Sequence, residues 1–332
     1  MRIRWLFLIN LFLSVSTATD SAFAASAANK IVISYAALSE REGALMVARD
    51  QGFFRKQGVD VELVYMPSAP VSLASIAHGD SQLNTGSASG AILGAMASGL
   101  DLVFVAGLIN KLSGVIIAGP NINSPADLKN KTIGVTSIGG GNWVFTMLAL
   151  EHWKLDVKRD NITIRVMGND ATRAQAITTG AIDATQLSAY SLVAPLKRQG
   201  AKMLADLPDL GVPYQGVTVF TRRGYLNQNP DLVEKVLTGI VEAIAFIQDP
   251  ANKAAVMRTL AKGLRLPKPE DTAEGYESVK VLFERKIYPT VEGVRNTIRL
   301  LGISNEKIRN LRAEDVIDDR IVRRMDQKGL FR

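Results

Sequence analysis

Short apolar runs alternate with helical stretches along most of this chain, and that alternation leaves few folds open. Ile31–Ala36, Val59–Val64, Leu102–Ala106 and Val115–Ala118 have the length and composition of strands. Thr132–Val135, Ile162–Val166, Ala184–Leu187 and Val217–Phe220 continue the series. Between them, Glu42–Gln51 sets Ala44, Val47 and Ala48 on one helical face, and Val71–His78, Gly90–Ser98 and Trp143–Trp153 read as further helices. Strands separated by helices form βαβ units and largely parallel sheets. The fold class is therefore α/β.

After about Asn229 the pattern changes. Asn229-Pro230-Asp231 reads as a helix start, with Asn as N-cap, Pro at the first helical position and an acid in the first turn. Val233, Val236, Leu237, Ile240, Ala243, Ile244 and Ile247 then recur at helical spacing until Pro250. Most of 251–332 also reads helical. Two segments hint at related halves: Ile76-Ala77-His78-Gly79 before Ser81–Thr85, and Ile177-Thr178-Thr179-Gly180 before Ala184–Leu187. Each is a helix ended by glycine, the residue suited to a left-handed C-cap, with a strand directly after it.

The N-terminus combines a positive start at Arg2 and Arg4, an apolar run from Trp5 to Val15 and small residues ending Ala22-Phe23-Ala24-Ala25. This is the pattern of a secretory signal peptide, expected to be cleaved after Ala24, with Ala27 the second choice. The run is shorter than the roughly 18 apolar residues that span a bilayer. Removing residues 1–24 takes away Arg2, Arg4 and Asp20 and lowers the formal surplus of +7 by one charge. The remaining basic residues are interspersed with acids, as in Asp315–Met325, so no basic stripe for nucleic acid is expected. With no cysteine, and only His78 and His152 as histidines, thiolate chemistry is excluded and no metal or cofactor is expected.

Four segments occur in a telling order: Gly52-Phe53-Phe54-Arg55-Lys56-Gln57-Gly58-Val59-Asp60-Val61-Glu62-Leu63; Ser124-Pro125-Ala126-Asp127-Leu128-Lys129-Asn130-Lys131-Thr132-Ile133-Gly134-Val135; the Gly-rich turn Ser137–Asn142; and Ala176-Ile177-Thr178-Thr179-Gly180-Ala181-Ile182-Asp183-Ala184. The set resembles the periplasmic substrate-binding proteins of ABC importers, in the nitrate/sulfonate/taurine and thiamine-pyrimidine-precursor group. The resemblance implies two α/β lobes of the Venus-flytrap type with the ligand in the cleft between them. Lobe I would comprise 25–116 plus 218–332 and lobe II 117–217, with the crossings near Val115–Ala118 and Gly216–Val219. It also implies a small-molecule ligand, a membrane permease with its ATPase subunits as partners, a periplasmic location and a monomer.

In α/β lobes, ligands sit beyond the carboxyl ends of strands, where helices begin and free N–H groups point outward. Four loops qualify. In Ser137–Asn142, the residues Ser137, Gly139, Gly140 and Asn142 let a ligand approach the backbone closely at a helix start, or form a plain flexible turn. Thr85 and Ser87 either donate to a ligand or cap the following helix, and Ser39 and Glu40 have the same two readings. Asn169, Ser188 and Tyr190 follow strands of the second half, where Tyr190 either stacks on a planar group or lies in the core. Tyr214 is a further candidate beside the second crossing. Arg41, Lys111 and Arg173 are expected to be solvated surface charges, and Glu40 and Asp170 to repel a simple anion.

A binding module without catalytic residues fits these features best. A sensor docking on a receptor or kinase ectodomain is the alternative, and an enzyme related to thiamine-pyrimidine synthesis a remote one. Bulky replacements at Ser137 or Asn142 are predicted to abolish ligand binding in a titration, while Lys328→Ala leaves affinity unchanged.

Overall fold

The computed structural model describes residues 30–35, 37–66 and 69–331. The expected leader and its cleavage positions lie outside them, as does Ala36. The first stretch runs β1 (Lys30–Tyr35), α1 (Gly43–Asp50), α2 (Phe53–Lys56), β2 (Asp60–Tyr65), α3 (Ala69–His78), β3 (Leu83–Gly86), α4 (Gly90–Ala97) and β4 (Leu102–Lys111). Next come β5 (Val115–Ala118), β6 (Thr132–Val135), α5 (Gly141–His152), β7 (Thr163–Val166), α6 (Asp170–Thr178), β8 (Ala184–Leu187), α7 (Val193–Arg198) and β9 (Lys202–Asp206). The chain then enters β10 (Pro213–Arg222) and finishes in α8 (Arg223–Gln228), α9 (Pro230–Gln248), α10 (Lys253–Leu264), α11 (Ala273–Leu282), α12 (Val291–Gly302), α13 (Glu306–Arg309) and α14 (Arg320–Gln327).

The strands form two five-stranded sheets with the same plan. One has the order β2-β1-β3-β10-β4 and the other β7-β6-β8-β5-β9. In the first, β1 pairs parallel with β2 and β3, with Ile33 opposite both Leu63 and Leu83. In the second, β6 pairs parallel with β7 and β8, with Ile133 opposite Ile164 and Ala184. In each sheet one antiparallel strand is inserted: β10 between β3 and β4, and β5 between β8 and β9. The expected pair of related halves is thus visible as a shared strand order. The glycines that suggested it, Gly79 and Gly180, both adopt positive φ, at 88° and 72°. The protein is an α/β, two-lobed molecule.

The inserted strands correct the expected crossings. Val115–Ala118 has ladder partners on both sides, and in the second segment Val217 pairs with β4 while Thr218 and Val219 pair with both β3 and β4, so neither segment is a free connection. The boundaries expected at 116/117 and 217/218 accordingly fall inside strands. The chain instead passes between the sheets at Leu112–Gly114 and Leu207–Val212. Backbone donors and acceptors buried in a sheet must be paired, and a strand with two neighbours has none left for hinge duty. A second correction concerns Asn229. It stands at the N-cap position of α9 but makes no side-chain cap bond; its amide donates to the Tyr225 carbonyl at 3.2 Å.

Both passages lie at the carboxyl ends of the parallel strands, because Val115 pairs with Leu187 and Asp206, the last residues of β8 and β9. The lobes therefore meet with their strand ends facing. They also share apolar surface: Val144, Phe145 and Leu148 of α5 pack with Tyr214, Val294 and Ile298 of the other lobe. Gly114, in the first passage, has φ +81°, and a Cβ there would collide with the Leu187 carbonyl oxygen. Gly114→Ala is expected to lower stability by on the order of 2–4 kcal/mol, combining left-handed strain with overpacking. Urea denaturation measures it, and an unchanged midpoint would contradict this account of the passage.

Candidate functional site

Loops from both lobes converge where the strand ends face. On lobe I, the chain leaves β1 through Ser39 into a single 3-10 turn, Glu40–Glu42, in which all three residues are buried. Arg41 is 9% exposed and Glu42 2%. The Glu42 carboxylate accepts from the Thr85 hydroxyl at 2.8 Å, and its other oxygen lies 3.8 Å from Arg41 Nε. Arg41 in turn lies 5.9 Å from the Phe145 ring centroid, so its guanidinium reaches across to lobe II. Phe145 meets Tyr214 edge-on, 4.8 Å between centroids, and the Tyr214 hydroxyl donates to the Ala88 carbonyl at 2.9 Å. Burial pushes both the Glu42 carboxyl and the Tyr214 phenol up, and the Arg41 charge opposes each shift.

Four buried polar atoms in this cluster have no hydrogen-bond partner: Ser39 Oγ, Arg41 Nε, Glu42 Oε1 and Ser89 Oγ. A buried donor or acceptor left unpaired costs about 1–3 kcal/mol, and more when charged. All four lie in the two lobe I loops that follow β1 and β3. Ser89 closes the expected loop after β3, and Arg41, the cation that the loop after β1 offers to an anion, is buried where a solvated surface charge is expected. Sequence position does not say which way a side chain in a tight turn points.

Lobe II contributes a different arrangement. Gly140 is the N-cap of α5, so Asn142 lies in the first turn of that helix rather than in the loop before it. Its amide oxygen accepts from Thr136 N at 2.9 Å and its NH2 donates to Gln186 Oε1 at 2.7 Å. Arg173, expected at the surface, is fully buried. It donates to Thr185 Oγ1 at 2.9 Å, Thr136 Oγ1 at 2.6 Å and the Gln186 carbonyl at 3.1 Å, and it also bonds the Gly168 carbonyl and the Asp170 carboxylate. Asp170 accepts from Ser188 N and Ala189 N at 2.7 and 2.9 Å. Arg173 and Asp170 are therefore consumed in shaping the loops, and Asp170 does not stand as a free repelling charge.

The remaining candidates divide by position. Ser87 lies against Gly141, where a Cβ would run into its hydroxyl, and Gly90 N donates to the Gly139 carbonyl at 2.8 Å across the cleft. Ser188 Oγ accepts from Gln186 at 3.2 Å. Ser137 and Asn169 are exposed, and Asn169 caps α6 by accepting from Thr172 N at 3.0 Å. Tyr190 is buried with its hydroxyl donating to Asp206 at 2.8 Å, and Tyr214 is fully buried. Glu40, also fully buried, accepts from Tyr190 N and Ser191 N at 3.1 and 3.0 Å. Ser39 and Ser89 stand at N-cap positions without making a cap bond. Among the described residues no group of His, Asp and Glu could hold a metal ion.

A family model described as NMT1/THI5-like matches residues 42–253, more than half of the chain. The chain belongs to the NMT1/THI5-like family. Solved structures extend the likeness to the whole fold. The periplasmic aliphatic sulphonate-binding protein SsuA of Escherichia coli has TM-score 0.72 at 21% identity, covering 88% of this chain and 92% of its own. The periplasmic nitrate-binding protein NrtA of Synechocystis PCC 6803 has TM-score 0.72 at 15% identity, covering 90% and 89%. DszB in complex with biphenyl-2-sulfinic acid has TM-score 0.65 at 16% identity, covering 90% and 99%. At these identities the likeness is one of fold. No curated protein matches in sequence.

In this NMT1/THI5-like protein the two buried arginines have opposite roles. Arg173 has its hydrogen bonds made by the protein, whereas among the described residues Arg41 has an ion pair with Glu42 and no side-chain hydrogen bond. Arg173→Met is expected to cost about 3–5 kcal/mol, because it leaves the Asp170 carboxylate without its cation. Arg41→Met removes only a 3.8 Å ion pair with Glu42, whose burial already favours the neutral carboxyl, and should cost less. Chemical denaturation of the two variants side by side checks this; equal losses would contradict the division of roles.

Proposed function

We propose that this protein is the extracytoplasmic solute-binding component of an ABC-type importer. It is a periplasmic monomer that holds a small solute in the interlobe cleft and delivers it to a membrane permease and its ATPase subunits. The observation that carries this reading is the buried Arg41 Nε at the junction of the two lobes, which makes no hydrogen bond to the described residues and has only the Glu42 carboxylate, 3.8 Å away, as an ionic neighbour. Such a group holds an anionic or acceptor-rich end of a ligand through charge-assisted bonds. In this reading Ser39, Thr85, Ser87, Ser89 and Tyr214 of lobe I and Ser137, Gly139, Gly140, Asn142, Asn169 and Ser188 of lobe II supply the remaining contacts to the solute. Contacts to both lobes favour the closed arrangement, so binding shifts the population toward it. Sulfonates, taurine, nitrate-like anions and aminopyrimidines are the solutes considered. Glu42 Oε1, ion-paired with Arg41 but without a hydrogen bond, suits those that also carry a hydrogen-bond donor. The protein's role is binding rather than catalysis.

A thermal-shift screen of residues 25–332 against sulfonates, taurine, nitrate, bicarbonate, aromatic carboxylates and aminopyrimidines tests the reading. A solute bound by the folded state alone adds about 2.7 kcal/mol of stability at a hundredfold excess over Kd. Arg41→Gln is expected to weaken the bound solute by about 10- to 100-fold, the worth of one charge-assisted hydrogen bond or slightly more. A solute that binds both forms equally would move the site away from Arg41.

A further inference from the structure

Four consecutive amides in the loop after β8 are all taken by carboxylates, and the two carboxylates come from different lobes. Ser188 N and Ala189 N donate to Asp170, which belongs to the same lobe. Tyr190 N and Ser191 N donate to Glu40, one to each oxygen, at 3.1 and 3.0 Å. Glu40 is carried by lobe I, 150 residues earlier in the chain, and is fully buried. Tyr190 and Ser191 open the helical segment that continues into α7, so their N–H groups are the ones that a helix leaves unsatisfied at its start. The carboxylate is admitted to this position by Gly275 of α11, where a Cβ would collide with the Glu40 side chain.

We propose that Glu40 is a closing latch, a carboxylate of lobe I that caps a helix start of lobe II and so holds the lobes together before any solute binds. Beside the shared apolar surface around Phe145 and Tyr214, two further polar contacts cross the junction, and both are weaker in kind. Gly90 N to the Gly139 carbonyl is a single neutral bond, and the Arg299–Glu151 pair has side chains 51% and 50% exposed. An exposed pair of that sort contributes little, whereas a buried charge with two amide donors is a strong, geometrically exacting contact. When the lobes separate, Glu40 and both amides return to water together, so the contact is made or lost as one unit. The latch thereby sets the ratio of closed to open protein in the absence of ligand, and the solute adds to a bias that already exists.

The test uses the ligand-free mature protein, so it does not depend on the identity of the solute. Because the chain contains no cysteine, Lys158→Cys and Lys235→Cys place one spin label on each lobe at exposed positions. Pulsed electron resonance reads the distance distribution, and small-angle scattering reads overall compactness. The expected result is a mainly closed distribution for the parent and a shift of about tenfold or more toward open for Glu40→Ala. Glu40→Gln should fall between, since one of its two terminal atoms is a donor and cannot accept from an amide. Circular dichroism verifies folding, and Gly275→Ala, which pushes on Glu40 from α11 without touching its charge, should open the protein in the same direction. A parent that is already open without ligand, or variants whose distributions coincide with the parent, would overturn the proposal.

Discussion

Each sheet of this protein is completed by a strand that runs against the rest: β10 lies between β3 and β4, and β5 between β8 and β9. Both inserted strands come directly after a passage from the other lobe. Their antiparallel direction brings each passage to the carboxyl edge of the parallel strands it joins. Everything at the junction depends on this constraint. The loops that follow β1, β3, β6 and β8 are forced to face one another, and helix starts and turn amides from both lobes are gathered into one place. A sheet in which the crossing strand ran parallel would carry the connection to the far edge and leave these loops apart.

Within that frame the distribution of buried charge separates architecture from binding. Taking a guanidinium out of water costs several kcal/mol unless its donors are matched. Arg173 meets that cost with oxygens of Thr136, Thr185, Gly168, Gln186 and Asp170, all within lobe II. Arg41 has a carboxylate oxygen at 3.8 Å and an aromatic ring, neither of which is a well-formed hydrogen bond. Native proteins rarely leave such groups unmatched. The same comparison applies to the carboxylates. Asp170 and Glu40 are saturated by backbone amides, whereas Glu42 retains an unpaired oxygen.

The α/β class, the glycine-ended helices and the positions of most strands were legible because they rest on local signals: hydrophobic period, strand length and the left-handed preference of glycine. Ends of elements were less so. Asn142 was placed in a loop but lies in the first turn of α5, since glycines at 140 and 141 tolerate helical and extended backbone alike. The boundaries near 116 and 217 fell inside strands because an apolar run reads the same whether it pairs on both sides or crosses a junction. Leu112–Gly114, the actual passage, carries no distinctive composition. The loop positions of Ser39, Ser87, Gly139 and Ser188 followed from the rule about strand ends.

By itself, the sequence determined the order of elements and the class of fold, because each of these follows from spacing and residue type along the chain. Only the tertiary structure decided which charges are buried and which are spent. Arg41 and Arg173 are the same residue type, and each has an acid close by in sequence. Arg173 adds to its neighbours Gly168 and Asp170 partners 12 to 37 residues away, whereas Arg41 meets a ring more than 100 residues away. Glu40 likewise acquires its role from amides 150 and 151 residues distant. Desolvation and hydrogen-bond matching depend on what surrounds a group in space, and the chain specifies those surroundings only once it has folded.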